Sequence, residues 1–516
     1  MSRTDPWGPL DALLASAAHR HPDRAAVTEG QQLLTYRELE SRVRELATGL
    51  RAAGMRPGDR VGVYVPKSTD AMVAIYAALR CGAVAAPLDV KGPPERTARM
   101  AVNAALGFLV TTDRAAASAT RVREITDQGP GEVRRLVSGL GILPLGPSGA
   151  PVPQGGDGGY LLFTSGSTGW PKGVLLSHGN VLHFARWTVD QFGLTSSDRV
   201  GSQASLTFDL STFDIFGSAL SGACLVLLPE SLKAFPQDVV SWLRTHRISA
   251  FYAVPTLYQA LLHHGGISTT RLPDLRIIAF AGEPFPAGDL ERYVGIFETA
   301  EFYNLYGPTE TNVCTFERVP RGWSAQDGLS IGKEIAGVQV ELVDDQRRVT
   351  SDEGEIAVSG PTVALGYLQD GQHRELTSLI HLSDGRTRPA YLTGDLGYYG
   401  DEGKIYLRGR RDHQIKRRGY RIDLQDIESV VQEFSSVRGC AAIWTPEGGG
   451  ELRLHVAADS VTEGQLREQL ASSLPRHMLP DRIHLAERLP LTERGKVDRE
   501  ALASAEPTRE RGHEKR

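Results

Sequence analysis

The chain has 516 residues, too many for one simple core and enough for two or more domains. Its 41% hydrophobic and 23% charged content is that of an ordinary globular protein, and a net charge of −5 gives no reason to expect nucleic acid or an anionic membrane as partner. Cys81, Cys224, Cys314 and Cys440 stand far apart with no C-x-x-C pair, which predicts buried thiols in a reducing compartment.

The N-terminus carries Arg3, Asp5 and a Trp-Gly-Pro turn where a signal peptide would need an apolar run. The one candidate membrane stretch, Ala71 to Pro87, is broken by Arg80, so a cytoplasmic protein is expected. A short amphipathic helix is predicted from Leu10 to Ala18 and a long one from Arg37 to Ala53, ended by Gly54 and Pro57. Val61–Val65 reads as a buried strand, Asp70–Leu79 as a helix and Ala83–Pro87 as a strand again. Such alternation predicts an α/β fold with a parallel sheet covered on both faces. Pro144 to Gly159 is a Gly- and Pro-dense loop.

That loop delivers the chain to Tyr160–Gly173, Y-L-L-F-T-S-G-S-T-G-W-P-K-G. An apolar strand runs into Thr164, Ser165, Gly166, Ser167, Thr168 and Gly169, and Lys172 follows. Glycines admit an anion close to backbone N–H groups, while hydroxyls and a lysine add donors, so the stretch suits a polyphosphate. It is not a Walker A loop, which needs G-x-x-x-x-G-K-[ST]. A Ser/Gly linker is the plain alternative, but the β-rich Val174-Leu175-Leu176 follows at once. A helix is then predicted from Asn180 to Phe192, and βα alternation continues to about residue 320; His263-His264 with Gly-Gly after it reads as a loop. From Leu329 short strands with Gly and Asp turns predict a smaller β-rich subdomain, with strands at Val338–Val343, Gly354–Val358 and Lys404–Leu407. Beyond Asp412 a compact α/β pattern ends near Ala505, and the charged tail from Glu506 to Arg516 is expected to be disordered.

The phosphate stretch resembles, almost letter for letter, that of the adenylate-forming enzymes, among them nonribosomal peptide adenylation domains, acyl-CoA synthetases and luciferases. L-T-Y-R-E-L (34–39) and L-R-C-G-A-V-A-A-P-L-D (79–89) resemble the first two core motifs of the adenylation domains. Asn304-Leu305-Tyr306-Gly307-Pro308-Thr309-Glu310 resembles the fifth, and Tyr391-Leu392-Thr393-Gly394-Asp395-Leu396 the seventh, with Leu392 where arginine is common. Lys496, in L-P-L-T-E-R-G-K-V-D-R, matches the last.

The resemblance implies the adenylate-forming fold: a large N-terminal core over 1–411, a small mobile lid over 412–505 after a hinge at Asp412, and the tail 506–516. It also implies ATP and Mg²⁺. Thr164 to Gly169 and Lys172 would hold the phosphates, Asn304 and Tyr306 the adenine, Thr309 the α-phosphate, and Asp395 the ribose hydroxyls. Arg410 would touch ribose or phosphate, Glu310 would ligate Mg²⁺ as a hard oxygen donor, and Lys496 would meet the charge developing on substrate and bridging oxygen.

Phe208-Asp209-Leu210-Ser211 bears on which acid is activated. In the peptide-synthetase relatives an aspartate at this position pairs with the α-ammonium of an amino acid, and a buried carboxylate without a cation is costly, so the resemblance implies an aminated substrate for Asp209. Carried over position by position, the remaining pocket residues are Leu210, Phe213, Tyr252, Ala279, Ala281, Leu305, Val313 and Cys314, with Lys496 last. Tyr252 rests on the weakest local alignment. The set is apolar and aromatic, suited to a small hydrophobic amino acid such as proline, alanine or valine. It looks like that of stand-alone prolyl-AMP ligases, which load L-proline on a carrier protein for oxidation to a pyrrole; Phe213 and Ala279 depart from the usual Leu. The implied partners are L-proline and a separate phosphopantetheinylated peptidyl carrier protein. The alternatives are a D-alanyl carrier-protein ligase, an acyl-CoA synthetase (disfavoured by Asp209), and a nucleotide-binding scaffold without catalysis.

Overall fold

The structure is a computed structural model that describes residues 8–129, 131–137, 139–149, 158–164, 171–411, 414–432, 434, 436–445, 450–458, 460–490 and 497–504. The chain divides into two compact units, a large one of residues 1–164, 171–412 and 418–420, and a small one whose described part is 414–417 and 421–504.

Two nine-stranded sheets and a five-stranded sheet build the large unit. Strands Val84–Pro87, Ala250–Ala253 and Ile277–Ala281 are buried along their whole length, as strands are when both faces of a sheet are covered. Helix Tyr36–Ala52 shows why helices lie on them. Thr35 and Glu38 form a reciprocal capping box, and Tyr36, Leu39, Val43, Leu46 and Leu50 recur at helical spacing on the buried face.

The two nine-stranded sheets are mixed, where the alternation pattern predicts parallel ones. Their centres are parallel: Arg60–Tyr64 pairs that way with Val84–Pro87 and Phe108–Thr112, and Ile277–Ala281 with Ala250–Ala253 and Glu301–Tyr306. Their edges are antiparallel. Gly158–Thr164 and Lys172–Ser177 are joined by too few residues for a helical crossover and therefore form a hairpin. Gly366–Gln369, from the late β-rich stretch, pairs with Lys172–Ser177 and so returns the chain to the first sheet. The remaining β-rich stretch forms the five-stranded sheet around a long strand, Thr387–Tyr399. His263 differs from expectation: it closes helix Pro255–His263, with Nε2 3.0 Å from the Asp289 carboxylate.

In the small unit Val437–Thr445 pairs antiparallel with Glu451–Ala458, which pairs parallel with Arg482–Ala486; helices Leu424–Gln432, Glu463–Ser473 and Arg499–Ser504 accompany them. All four cysteines are buried free thiols. Among the described residues no helix is long and apolar enough to cross a membrane.

Candidate active site

Of the predicted phosphate stretch, Thr164 and Lys172 stand at the end of the hairpin. Thr164 and Lys172 are paired neighbours there; Ser165, Gly166, Ser167, Thr168 and Gly169 lie outside the described residues, as do Asp412 and Lys496. Thr164 Oγ1 is buried with no hydrogen-bond partner among the described residues. A buried hydroxyl of that kind is costly unless a ligand satisfies it, so it fits a phosphate-holding turn.

Lys172 Nζ lies 3.9 Å from Glu310 Oε1 and 3.9 Å from the centroid of the Tyr367 ring. Glu310 is fully buried, and its Oε1 accepts a 2.8 Å hydrogen bond from the Tyr367 hydroxyl. Burial, and then the Glu310 charge, push the Tyr367 phenol far above its ordinary range, so it donates throughout the physiological pH range.

Glu310 reaches this place through the turn that follows strand Glu301–Tyr306. The chain folds back so that Cys314 N–H donates to Tyr306 O at 2.8 Å. A Cβ at Gly307 would stand 1.6 Å from Asn312 O, so only glycine fits. Asn312 takes a left-handed conformation with φ +50°, and its Nδ2 donates to Thr212 Oγ1 at 3.1 Å. Thr309 is half-buried inside this turn.

Tyr306 and Asp395 meet from different sheets. The Tyr306 hydroxyl donates to Asp395 Oδ2 at 2.7 Å, and Arg410 Nη1 pairs with Asp395 Oδ1 at 2.5 Å. Asp395 and Arg410 face each other across two paired strands, which fixes the ion pair. Burial, then the Asp395 charge, raise the Tyr306 phenol. Asn304 Nδ2 donates to Ser330 O at 2.7 Å.

Leu210, Phe213, Tyr252, Ala279, Ala281, Leu305, Val313 and Cys314 all belong to one buried apolar cluster. Three of the strands that supply it are adjacent: Tyr252 pairs with Ala279, and Ala281 with Leu305. Phe251 and Ala253 point into a different cluster, so alternation along the strand puts Tyr252 on this face. The Phe213 and Tyr252 rings meet edge-on, 5.8 Å between centroids. Asp209 is half-buried at the head of the Leu210–Thr212 turn. Leu210, the next residue in the chain, belongs to the same apolar cluster, so Asp209 stands at its edge.

Three contributors were not legible as site residues. Tyr367 has no marked motif around it. Lys67 Nζ donates to Ser202 O at 2.8 Å and Ala204 O at 2.7 Å, and Gln203 Nε2 donates to Tyr252 O at 3.2 Å. Lys67 thus anchors the segment leading to Asp209, and Gln203 ties that segment to the strand that bears Tyr252.

The donor set fits Mg·ATP. Among the described residues no cluster of three or more His, Cys, Asp or Glu could hold a metal alone. One buried carboxylate beside a lysine suits a Mg²⁺ whose other ligands are phosphate oxygens and water.

Known proteins resemble this chain along most of its length. The AMP-binding enzyme family model matches residues 14–368. The L-proline--[L-prolyl-carrier protein] ligase of Pseudomonas fluorescens is 34% identical over 504 residues, covering 94% of this chain and 96% of its own. That of Streptomyces coelicolor is 33% identical over 518 residues, 95% of each. Among solved structures, IdnL1 superposes with TM-score 0.78 at 27% identity, over 94% of this chain and 99% of its own. The Vibrio cholerae adenylation domain AlmE, solved with glycyl-adenosine-5'-phosphate, gives TM-score 0.76 at 23% identity, over 96% of this chain and 97% of its own, a likeness of fold. With a family model matching residues 14–368 and relatives 33–34% identical along nearly its whole length, the chain belongs to the AMP-binding enzyme family.

Proposed function

We propose that this chain activates an amino acid with ATP and transfers it to the phosphopantetheine thiol of a carrier protein, and that the amino acid is L-proline. The observation that carries the reading is Asp209 directly before Leu210, one of eight side chains gathered in a buried apolar cluster, two of them alanines. A carboxylate there offers an α-ammonium or a proline nitrogen its counter-charge, while the wall offers nothing to a polar side chain. Relatives named L-proline--[L-prolyl-carrier protein] ligases, similar along nearly the whole chain, support the same choice.

In the first half-reaction a carboxylate oxygen of the amino acid attacks the α-phosphorus of ATP. The new O–P bond forms as the bond to the bridging oxygen breaks and pyrophosphate leaves. Positioning and electrostatics suffice. Thr164 and Lys172 hold phosphate, Thr309 donates to the α-phosphate, Tyr306 and Asp395 hold the nucleoside, and Lys496 meets the developing charge. Glu310 would hold Mg²⁺, which supplies charge neutralisation on the phosphates. In the second half-reaction the carrier thiol attacks the mixed anhydride and AMP leaves, after the small unit has turned about Asp412 and withdrawn Lys496.

The test is amino-acid-dependent exchange of labelled pyrophosphate into ATP across a substrate panel. Exchange with L-proline is expected. Exchange with D-alanine alone would make the chain a D-alanyl carrier-protein ligase. Exchange with fatty or aryl acids would overturn the role of Asp209, and silence throughout would favour a scaffold.

A further inference from the structure

We propose that Tyr367 is a positioning residue for nucleotide and metal, holding Lys172 with its ring and Glu310 with its hydroxyl. This rests on the reading of Glu310 as the metal-holding carboxylate.

Three parts of the large unit converge on this side chain. Tyr367 lies on strand Gly366–Gln369, opposite Val174 on the strand that begins at Lys172. The preceding residue must be glycine, because a Cβ at Gly366 would approach Arg374 O to 2.6 Å. From this fixed backbone the ring reaches Lys172, 3.9 Å from Nζ to centroid, and the hydroxyl reaches Glu310 Oε1 at 2.8 Å. On its far side the hydroxyl is 3.3 Å from that of Tyr391, which comes from the five-stranded sheet.

Lys172 and Glu310, 3.9 Å apart, are at the limit of a direct ion pair, and the glutamate is fully buried. A half-buried ammonium and a buried carboxylate so placed attract one another. Mg·ATP needs them apart, the lysine on phosphate and the carboxylate on metal. Tyr367 gives each a second partner, a ring face for the cation and a charge-assisted hydrogen bond for the anion. Removing the hydroxyl leaves Lys172 to take the carboxylate, and Mg·ATP must then break that pair to bind.

The test is Tyr367→Phe, which keeps the ring, alongside Glu310→Gln and wild type. Calorimetry measures Mg·ATP affinity in the absence of amino acid. Pyrophosphate exchange with L-proline gives KM for amino acid and the Mg²⁺ concentration for half-maximal rate. Tyr367→Phe is expected to weaken Mg·ATP binding and raise the Mg²⁺ requirement about tenfold, with the amino-acid KM unchanged. Tyr367→Leu is expected to weaken ATP binding in EDTA as well, because Lys172 loses its seat. If Tyr367→Phe changes only the melting temperature, while Glu310→Gln raises the Mg²⁺ requirement, the positioning role falls alone. If Glu310→Gln leaves Mg²⁺ dependence untouched, the metal reading falls and the proposal with it.

Discussion

Asp209 is half-buried and directly precedes Leu210 of the apolar cluster that holds Tyr252. The substrate nitrogen is the cation that the proposed reaction brings to this carboxylate. Asp209→Asn preserves size and removes the charge. We predict a fall in kcat/KM for the amino acid of about a hundredfold, near 3 kcal/mol, with Mg·ATP affinity kept. Exchange kinetics at varied amino acid check it; an unchanged KM would sever Asp209 from the substrate. At this scale the sequence is informative where chemistry is unusual: an aspartate inside F-D-L-S, a lysine after hydroxyls and glycines. It is silent on Tyr367, since a tyrosine after Leu-Gly in a strand has the composition of ordinary core. Only the fold brings its hydroxyl to a carboxylate 57 positions earlier in the chain. Lys67 is silent for the same reason, its partners being backbone carbonyls 135 and 137 positions away.

Elements were legible where local periodicity sets them. Helix Tyr36–Ala52 and strand Arg60–Tyr64 fall within a residue or so of their expected limits, because capping and burial pattern agree there. Pairing partners were not legible, since a strand's sequence carries its faces but not its neighbour; the antiparallel edges and the return of Gly366–Gln369 to the first sheet belong to this class. The turn from Gly307 to Cys314 lies between the two cases. Gly-Pro marks a turn, but its closeness to Asn312 O is a property of the folded loop. Gly307→Ala would push that carbonyl aside and move Glu310 with it. We predict destabilisation of about 2–4 kcal/mol and loss of exchange activity. Gly295→Ala serves as control: its Cβ meets nothing within 4 Å in helix Ala287–Ile296, so stability should hold or rise slightly. Equal denaturant midpoints for both variants would show that the turn yields without cost.

The proposed reaction makes two opposed demands on the whole molecule. Adenylation wants a cation beside the attacking carboxylate and the departing bridge oxygen, in a site closed to water. Thiolation wants a thiol admitted to the same anhydride, where a lysine would stand in the way. A single rigid core cannot meet both, whereas a chain of two compact units can do so if the unit that carries Lys496 moves. The two halves should then respond differently to one substitution. Lys496→Ala is predicted to lower proline-dependent pyrophosphate exchange by about a thousandfold, from the loss of a charge aimed at the transition state. Transfer from presupplied prolyl adenylate to the carrier should proceed at close to the wild-type rate, because the lysine has left before the thiol arrives. Loading of the carrier, followed by intact mass, reads the second step without the first. Equal loss in both would mean that Lys496 acts in a site that does not rearrange, and the two demands would have to be met by the large unit alone.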